Sequence, residues 1–217
     1  AKDDWAGRHY HQKLARVGKP AVAPLVEALG HDSPRVRYWS IAALAKIGDP
    51  RAVKPILGRL DDTDTFVRAV ASWHLRGWCG RKEVRRALFR RLADEEEMVQ
   101  KWAARAIKNN WEAAAVRRDV LEHMDDENDQ IRGWALDMIR EKRYRKAIPR
   151  LRRYLDSEDL IQRYAAVRAL PGLIGEEAIP ALKKAAANDP EPRVRAAAVY
   201  GLRNWFERPD VRQVVLG

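Results

Sequence analysis

The sequence predicts an all-α fold, a right-handed αα superhelix (a helical solenoid) of about six helix pairs. Three observations predict it. A two-residue signature recurs as Val36-Arg37, Val67-Arg68, Val99-Gln100, Ile131-Arg132, Gln162-Arg163 and Val194-Arg195, at intervals of 31, 32, 32, 31 and 32 residues. Seven or eight residues before each pair stands an apolar residue: Leu29, Leu60, Leu92, Met124, Leu155 and Ala186. Eight residues after the first member stands another: Leu44, Leu75, Ile107, Ile139, Leu170 and Leu202. Self-similarity at this period marks two-helix units that bury their faces only by stacking on neighbours.

The expected organisation is one solenoid over residues 1–217. Residues 1–19 form an N-terminal cap helix, with a B-type helix read over 3–17. Residues 20–206 form six repeats, and 207–217 open a seventh repeat or a C-terminal cap. Each repeat reads as helix A, a polar turn and helix B. The A helices are placed at 20–30, 50–60, 82–92, 112–124, 145–155 and 177–187. The B helices are placed at 35–47, 66–77, 99–109, 131–142, 162–174 and 194–206. The turns carry cap-forming residues, as in His31-Asp32-Ser33-Pro34, Asp61-Asp62-Thr63-Asp64-Thr65 and Asp156-Ser157-Glu158-Asp159. Their oxygens accept from the free N–H groups that open a helix. Gly48-Asp49-Pro50 closes one helix and starts the next. Pro24, Pro55, Pro149 and Pro180 fall a turn into their A helices, where a bend is expected.

The stretch from Val36 to Val53, with Gly48-Asp49-Pro50 at its junction, resembles the short HEAT-like repeat associated with phycobilisome lyases. Val194-Arg195-Ala196-Ala197-Ala198-Val199-Tyr200-Gly201-Leu202 is similar to the same pattern. The resemblance covers roughly residues 20–206 and implies a solenoid whose B helices line the inner, concave surface. Repeats 3 and 4 lack the Gly-Asp-Pro junction, Gln100 replaces Arg, and Gln162 replaces the apolar residue. Irregular stacking is expected there.

Counting from the first signature residue as zero, positions 0, 4, 8 and 11 of helix B share one stripe and form the core. Positions 2, 6 and 9 cluster opposite. They hold Tyr38, Trp73, Arg76, Lys101, Arg105, Lys108, Asp137, Arg140, Tyr164, Arg168, Tyr200 and Arg203. Seven basic residues and four aromatics against one acid make these the candidate partner-binding residues, because exposed aromatics and arginines anchor partners. Trp39, Trp102 and Trp134 recur at position 3, where packing between repeats is the expected role. Arg37, Arg68, Arg132, Arg163 and Arg195 are expected to form a ladder with carboxylates of the turns.

The formal net charge is +11, with 42 Lys and Arg against 31 Asp and Glu. Seventeen of those acids lie in the six A–B turns, which together carry −15 and leave +26 on the remainder. The densest basic runs are Arg143, Arg145, Lys146, Arg150, Arg152 and Arg153, and then Arg85, Arg86, Arg90 and Arg91. Such a balance favours acidic partners.

No phosphate-binding glycine loop, HExxH motif or nucleophile elbow is present, so no catalytic residue, metal ligand or cofactor is assigned. Cys79, five residues after His74, is read as inert. His9 and His11 face different sides of a helix, and Asp125-Asp126-Glu127-Asn128-Asp129 lacks the glycine and distal glutamate of a calcium loop. A lone cysteine excludes an internal disulfide and points to a cytoplasmic setting. No stretch approaches the apolar length of a membrane span. The chain opens on Ala1, as a processed or trimmed chain would. The expected function is a non-enzymatic scaffold that holds an acidic protein or peptide. The alternatives are a nucleic-acid binder resembling the HEAT-like alkylpurine DNA glycosylases, with Asp137 near Trp134, Trp102 and Arg105, and a bilin-lyase-related protein.

Overall fold

Thirteen named α-helices follow one another in a computed structural model that describes residues 13–216. They are α1 (Val22–Ala28), α2 (Pro34–Ile47), α3 (Val53–Leu57), α4 (Thr65–His74), α5 (Lys82–Arg90), α6 (Glu97–Lys108) and α7 (Ala114–Glu122). After them come α8 (Asp129–Glu141), α9 (Ile148–Tyr154), α10 (Leu160–Ile174), α11 (Ile179–Asn188), α12 (Pro192–Leu202) and α13 (Pro209–Leu216). Residues 13–17 are also helical, and no strand occurs among the described residues. The first ten residues of the expected cap helix, together with Trp5, His9 and His11, lie outside them.

The chain divides into two units, Ala1–Asp119 and Val120–Gly217. In the first, B helix α2 packs on α4 and α4 on α6; in the second, α8 packs on α10 and α10 on α12. A helices cover them, with α1 on α2 and α5 on α6, then α9 on α10 and α11 on α12. Within each unit this is the arrangement of an α solenoid. The predicted leucine row is its core: Leu44, Leu75 and Ile107 in the first unit and Ile139, Leu170 and Leu202 in the second are at most 2% exposed. One turn earlier on each B helix sits a small buried residue, Ser40, Ala71, Ala103, Ala135, Ala166 or Ala198. Small side chains there let neighbouring B helices approach closely. The expected core positions Val36, Leu155, Gln162 and Ala186 are only half-buried.

Of the signature arginines, Arg37, Arg68 and Arg132 are buried and Arg163 and Arg195 half-buried. Arg37 pairs with Asp62, Arg68 with Asp94 and Arg163 with Asp189, each reaching the A–B turn of the following repeat. Each also donates through Nη1 to carbonyls of its own turn, Arg37 to those of His31 and Asp32 at 2.9 Å. The receiving carboxylate works twice. Asp62 accepts from the N–H of Asp64, Asp94 from Glu96 and Asp189 from Glu191, so the acid that shapes its own turn also ties down the previous repeat. Where Ser157 takes this place, Arg132 bonds Asp159 instead. Gln100 keeps the bond to its own turn, at Asp94 O, without the charge, and Arg195 likewise keeps only carbonyl partners. The acidic turns are thus the receiving ends of this ladder, while side-chain caps come from Asp64, Asn128 and Asp159.

Two features mark the helix ends. Pro24, Pro55, Pro149 and Pro180 lie within the first three residues of their α-helical segments, each preceded by a 3-10 turn, rather than in a helix interior. A proline there gives up an N–H that would be unpaired anyway. The missing Gly-Asp-Pro junctions also have substitutes. Gly48 ends α2 in the left-handed region at φ 72°, and the matching residue after α8, Arg143, takes φ 48°. After α6, Asn110 Nδ2 bonds the carbonyls of Arg76 and Ala106.

Candidate functional site

Helix phase alone puts positions 2, 6 and 9 on the side of each B helix away from its core stripe. None of the twelve predicted residues is buried: Tyr38, Trp73, Arg76, Lys108 and Tyr164 are half-buried and the other seven exposed. The structure sorts them into two clusters and a remainder.

The first cluster is in the second unit. Arg140 of α8, Tyr164 and Arg168 of α10, Tyr200 of α12 and Arg203 just beyond it line one open groove of about 840 Å³. Leu160, Ile161, Val167 and Pro171 make it apolar, and no carboxylate lines it. The guanidinium of Arg203 lies 3.8 Å from the centre of the Tyr200 ring, and that of Arg168 lies 5.3 Å from the Tyr164 ring. Cation–π contact of this kind holds a long side chain in place without neutralising it. Gly201 lets the helices meet, since a Cβ there would lie 3.3 Å from Pro171 Cγ.

Arg193 and the Leu160-Ile161 pair also line this groove, and the reading of the sequence missed them. The B helices were expected to start at 194 and 162, whereas α12 starts at Pro192 and α10 at Leu160. Position −1 falls beside position 6 on a helical wheel, so the signal was present once the helix start was right.

The second cluster is in the first unit. Trp73 of α4 meets Trp102 of α6 edge-on, with ring centres 5.2 Å apart. The Arg76 guanidinium lies 3.8 Å from the Trp73 ring centre, and that of Arg105 lies 5.1 Å from it and 5.6 Å from the Trp102 ring centre. Burial first, and then the charge of Arg105, push the pKa of Arg76 below the ordinary arginine value. Trp102 therefore packs between repeats, as expected, and also belongs to the candidate face.

The remainder is paired or set apart. Lys101 bonds Glu97 at 2.8 Å, Asp137 bonds Arg140 at 3.0 Å, and Tyr38 packs edge-on against Trp39. The A-helix basic runs shrink in the folded chain. Arg85 is 3% exposed and bonded to Asp119, Arg91 pairs with Asp61 and Asp94, and Arg150 pairs with Asp125. By contrast Arg76, Arg105, Arg168, Arg193 and Arg203 take part in no ion pair among the described residues.

Cys79 is 2% exposed, and burial pushes its thiol up to about 11, so it is protonated and shielded at neutral pH. Among the described residues no group of three or more His, Cys, Asp or Glu is placed to hold a metal ion, and no helix is long and apolar enough to cross a membrane.

Residues 2–76 and 117–203 match the family described as HEAT repeats. No curated protein is matched. Similar solved structures include the complex of CpcE and CpcF of phycocyanin lyase from Nostoc sp. PCC7120, at 18% identity and a TM-score of 0.44 over 82% of this chain and 74% of that one. Human deoxyhypusine hydroxylase in complex with glycerol is similar at 20% identity and a TM-score of 0.42, over 91% of this chain and 79% of that one. An engineered protein is similar at 19% identity and a TM-score of 0.41, over 84% and 95%.

Proposed function

The chain belongs to the HEAT-repeat family, and from that premise we propose that it is a non-enzymatic binding module that holds an acidic protein or peptide segment on the exposed face of its B helices. One observation carries this reading: the groove lined by Arg140, Tyr164, Arg168, Arg193, Tyr200 and Arg203 has four arginines and no acid. Arg168, Arg193 and Arg203 have no carboxylate partner there, whereas the signature arginines Arg37, Arg68 and Arg163 each have one; Arg140 pairs with Asp137, which is not part of the groove lining. An apolar floor beside unpaired guanidiniums suits a segment that alternates acidic and apolar side chains. Guanidiniums offer carboxylates two parallel N–H bonds.

An acidic polypeptide is favoured over nucleic acid by the tyrosines. The Tyr200 ring already carries Arg203 against one face, which leaves less ring for a base to stack on. The test compares a fluorescent peptide of Glu and Leu residues with a single-stranded and a duplex oligonucleotide. The peptide is expected to bind the chain and to lose binding with Arg168→Glu/Arg203→Glu, while circular dichroism stays unchanged because both residues are exposed. Tighter oligonucleotide binding, weakening steeply with salt, establishes the nucleic-acid reading instead. Peptide binding that survives the double charge reversal refutes the groove.

A further inference from the structure

We infer that Trp73, Arg76, Trp102 and Arg105 form a second site, in the first unit, for the phosphate monoester of a phosphorylated serine or threonine on a partner polypeptide. The inference rests on reading the B-helix face as a binding surface but not on the groove of the second unit. It starts from two like charges held close together. The guanidinium carbons lie 3.8 Å and 5.1 Å from one ring centre, which places them less than 9 Å apart. Neither is in an ion pair among the described residues; the Arg76 guanidinium donates to the Trp73 carbonyl, at 3.0 Å.

The mostly buried arginines of this chain are otherwise met by acids. Arg37, Arg68, Arg85 and Arg163 each have a carboxylate within 3.1 Å. Two converging guanidiniums on indole rings are instead complete when a group carrying two negative charges lies between them. One tetrahedral group with N···O bonds of about 2.8 Å on each side can bridge such a span. A phosphate monoester carries about two charges at neutral pH, whereas a carboxylate, a sulfate ester and a nucleic-acid phosphodiester carry one. The two tryptophans give the neighbouring residues of a peptide an apolar surface. Arg105 and Lys101 are exposed, so a side chain projecting from a partner can reach the site.

The site contains its own reporter. A labelled peptide with a central serine is titrated in four forms: unmodified, O-phosphorylated, O-sulfated and with aspartate in its place. Anisotropy and tryptophan fluorescence are followed together. The phosphorylated form is expected to bind at least about tenfold more tightly than the other three, consistent with one additional charged hydrogen-bond contact, and to change the tryptophan signal. Arg105→Gln, at an exposed position that leaves packing intact, is expected to remove that preference, and Trp73→Phe to retain most of it. Arg168→Glu/Arg203→Glu is expected to leave the phosphopeptide preference in place, which separates failure of this site from failure of the groove. Equal affinity for sulfate and phosphate forms, an unchanged preference in Arg105→Gln, or tighter binding of an oligonucleotide at this site would each overturn the proposal.

Discussion

Arg37 and Asp62, 25 residues apart, are joined by two parallel bonds, Nε to Oδ2 at 2.9 Å and Nη2 to Oδ1 at 2.6 Å. The bond joins the second signature residue of one repeat to the turn acid of the next. Arg163 and Asp189 repeat it, at 3.0 Å and 3.3 Å. The arginine of the signature is therefore a coupling element between neighbouring repeats, not a surface charge.

Breaking this pair is expected to cost more than a surface ion pair does. The two side chains are 9% and 3% exposed, so Asp62 left without Arg37 is a buried charge without a partner. Arg37→Met should lower stability by about 3–5 kcal/mol. The double change Arg37→Met/Asp62→Leu should recover much of that loss, because it removes both charges. Urea unfolding of the three proteins decides; a single-variant loss below about 1 kcal/mol would mean that solvent screens the pair.

The pair also sets an acid dependence. Burial by itself would raise the Asp62 carboxyl, but bonds from Arg37 and from the Asp64 N–H outweigh it and hold it below the ordinary carboxylate range. A depressed folded-state pKa stabilises the protein above the unfolded value of about 3.9 and loses that stabilisation as pH falls through the folded value. The stability difference between wild type and Asp62→Asn should therefore stay constant from pH 7 to about 4.5 and shrink only below it. Shrinkage that begins above pH 5 would contradict the depressed value.

Ile107 is 2% exposed in the leucine row of α6. Ile107→Ala should cost about 2–5 kcal/mol through lost burial and the cavity left behind. Denaturant midpoints measure it, and a cost under about 1 kcal/mol would be too small for a filled core position.

Arg143 occupies φ 48°, the conformation that Gly48 supplies at the same repeat position after α2. A left-handed residue with a Cβ costs roughly 1–2 kcal/mol relative to glycine, partly offset by the entropy glycine restores to the unfolded chain. Arg143→Gly should raise stability by about 0.5–1 kcal/mol in thermal unfolding. A lower midpoint would place the strain elsewhere.

Cys79 should react with iodoacetamide only after unfolding. It is 2% exposed with its thiol pushed up by burial, and the thiolate is the reactive form. Mass spectrometry at neutral pH, with and without denaturant, should find alkylation in the denatured sample alone. Rapid modification of the folded protein would reopen a reactive role.

The sequence by itself determined the period, the helix pairs, the leucine row and the face on which the candidate site lies. Helical phase is a local property, and a face follows from it wherever the helix start is known. Arg193, Leu160 and Ile161 were missed because two starts were placed two residues late. Partnership was decided only by the tertiary structure. Arg85, Arg91 and Arg150 read in sequence as basic surface, yet each meets a carboxylate brought to it by packing. Arg76 and Arg105 come from different helices and meet over one tryptophan, at 3.8 Å and 5.1 Å from its ring centre, without a counter-charge. Charge is written residue by residue, but whether it is neutralised depends on neighbours roughly 30 positions away, and the register of stacked helices sets those neighbours.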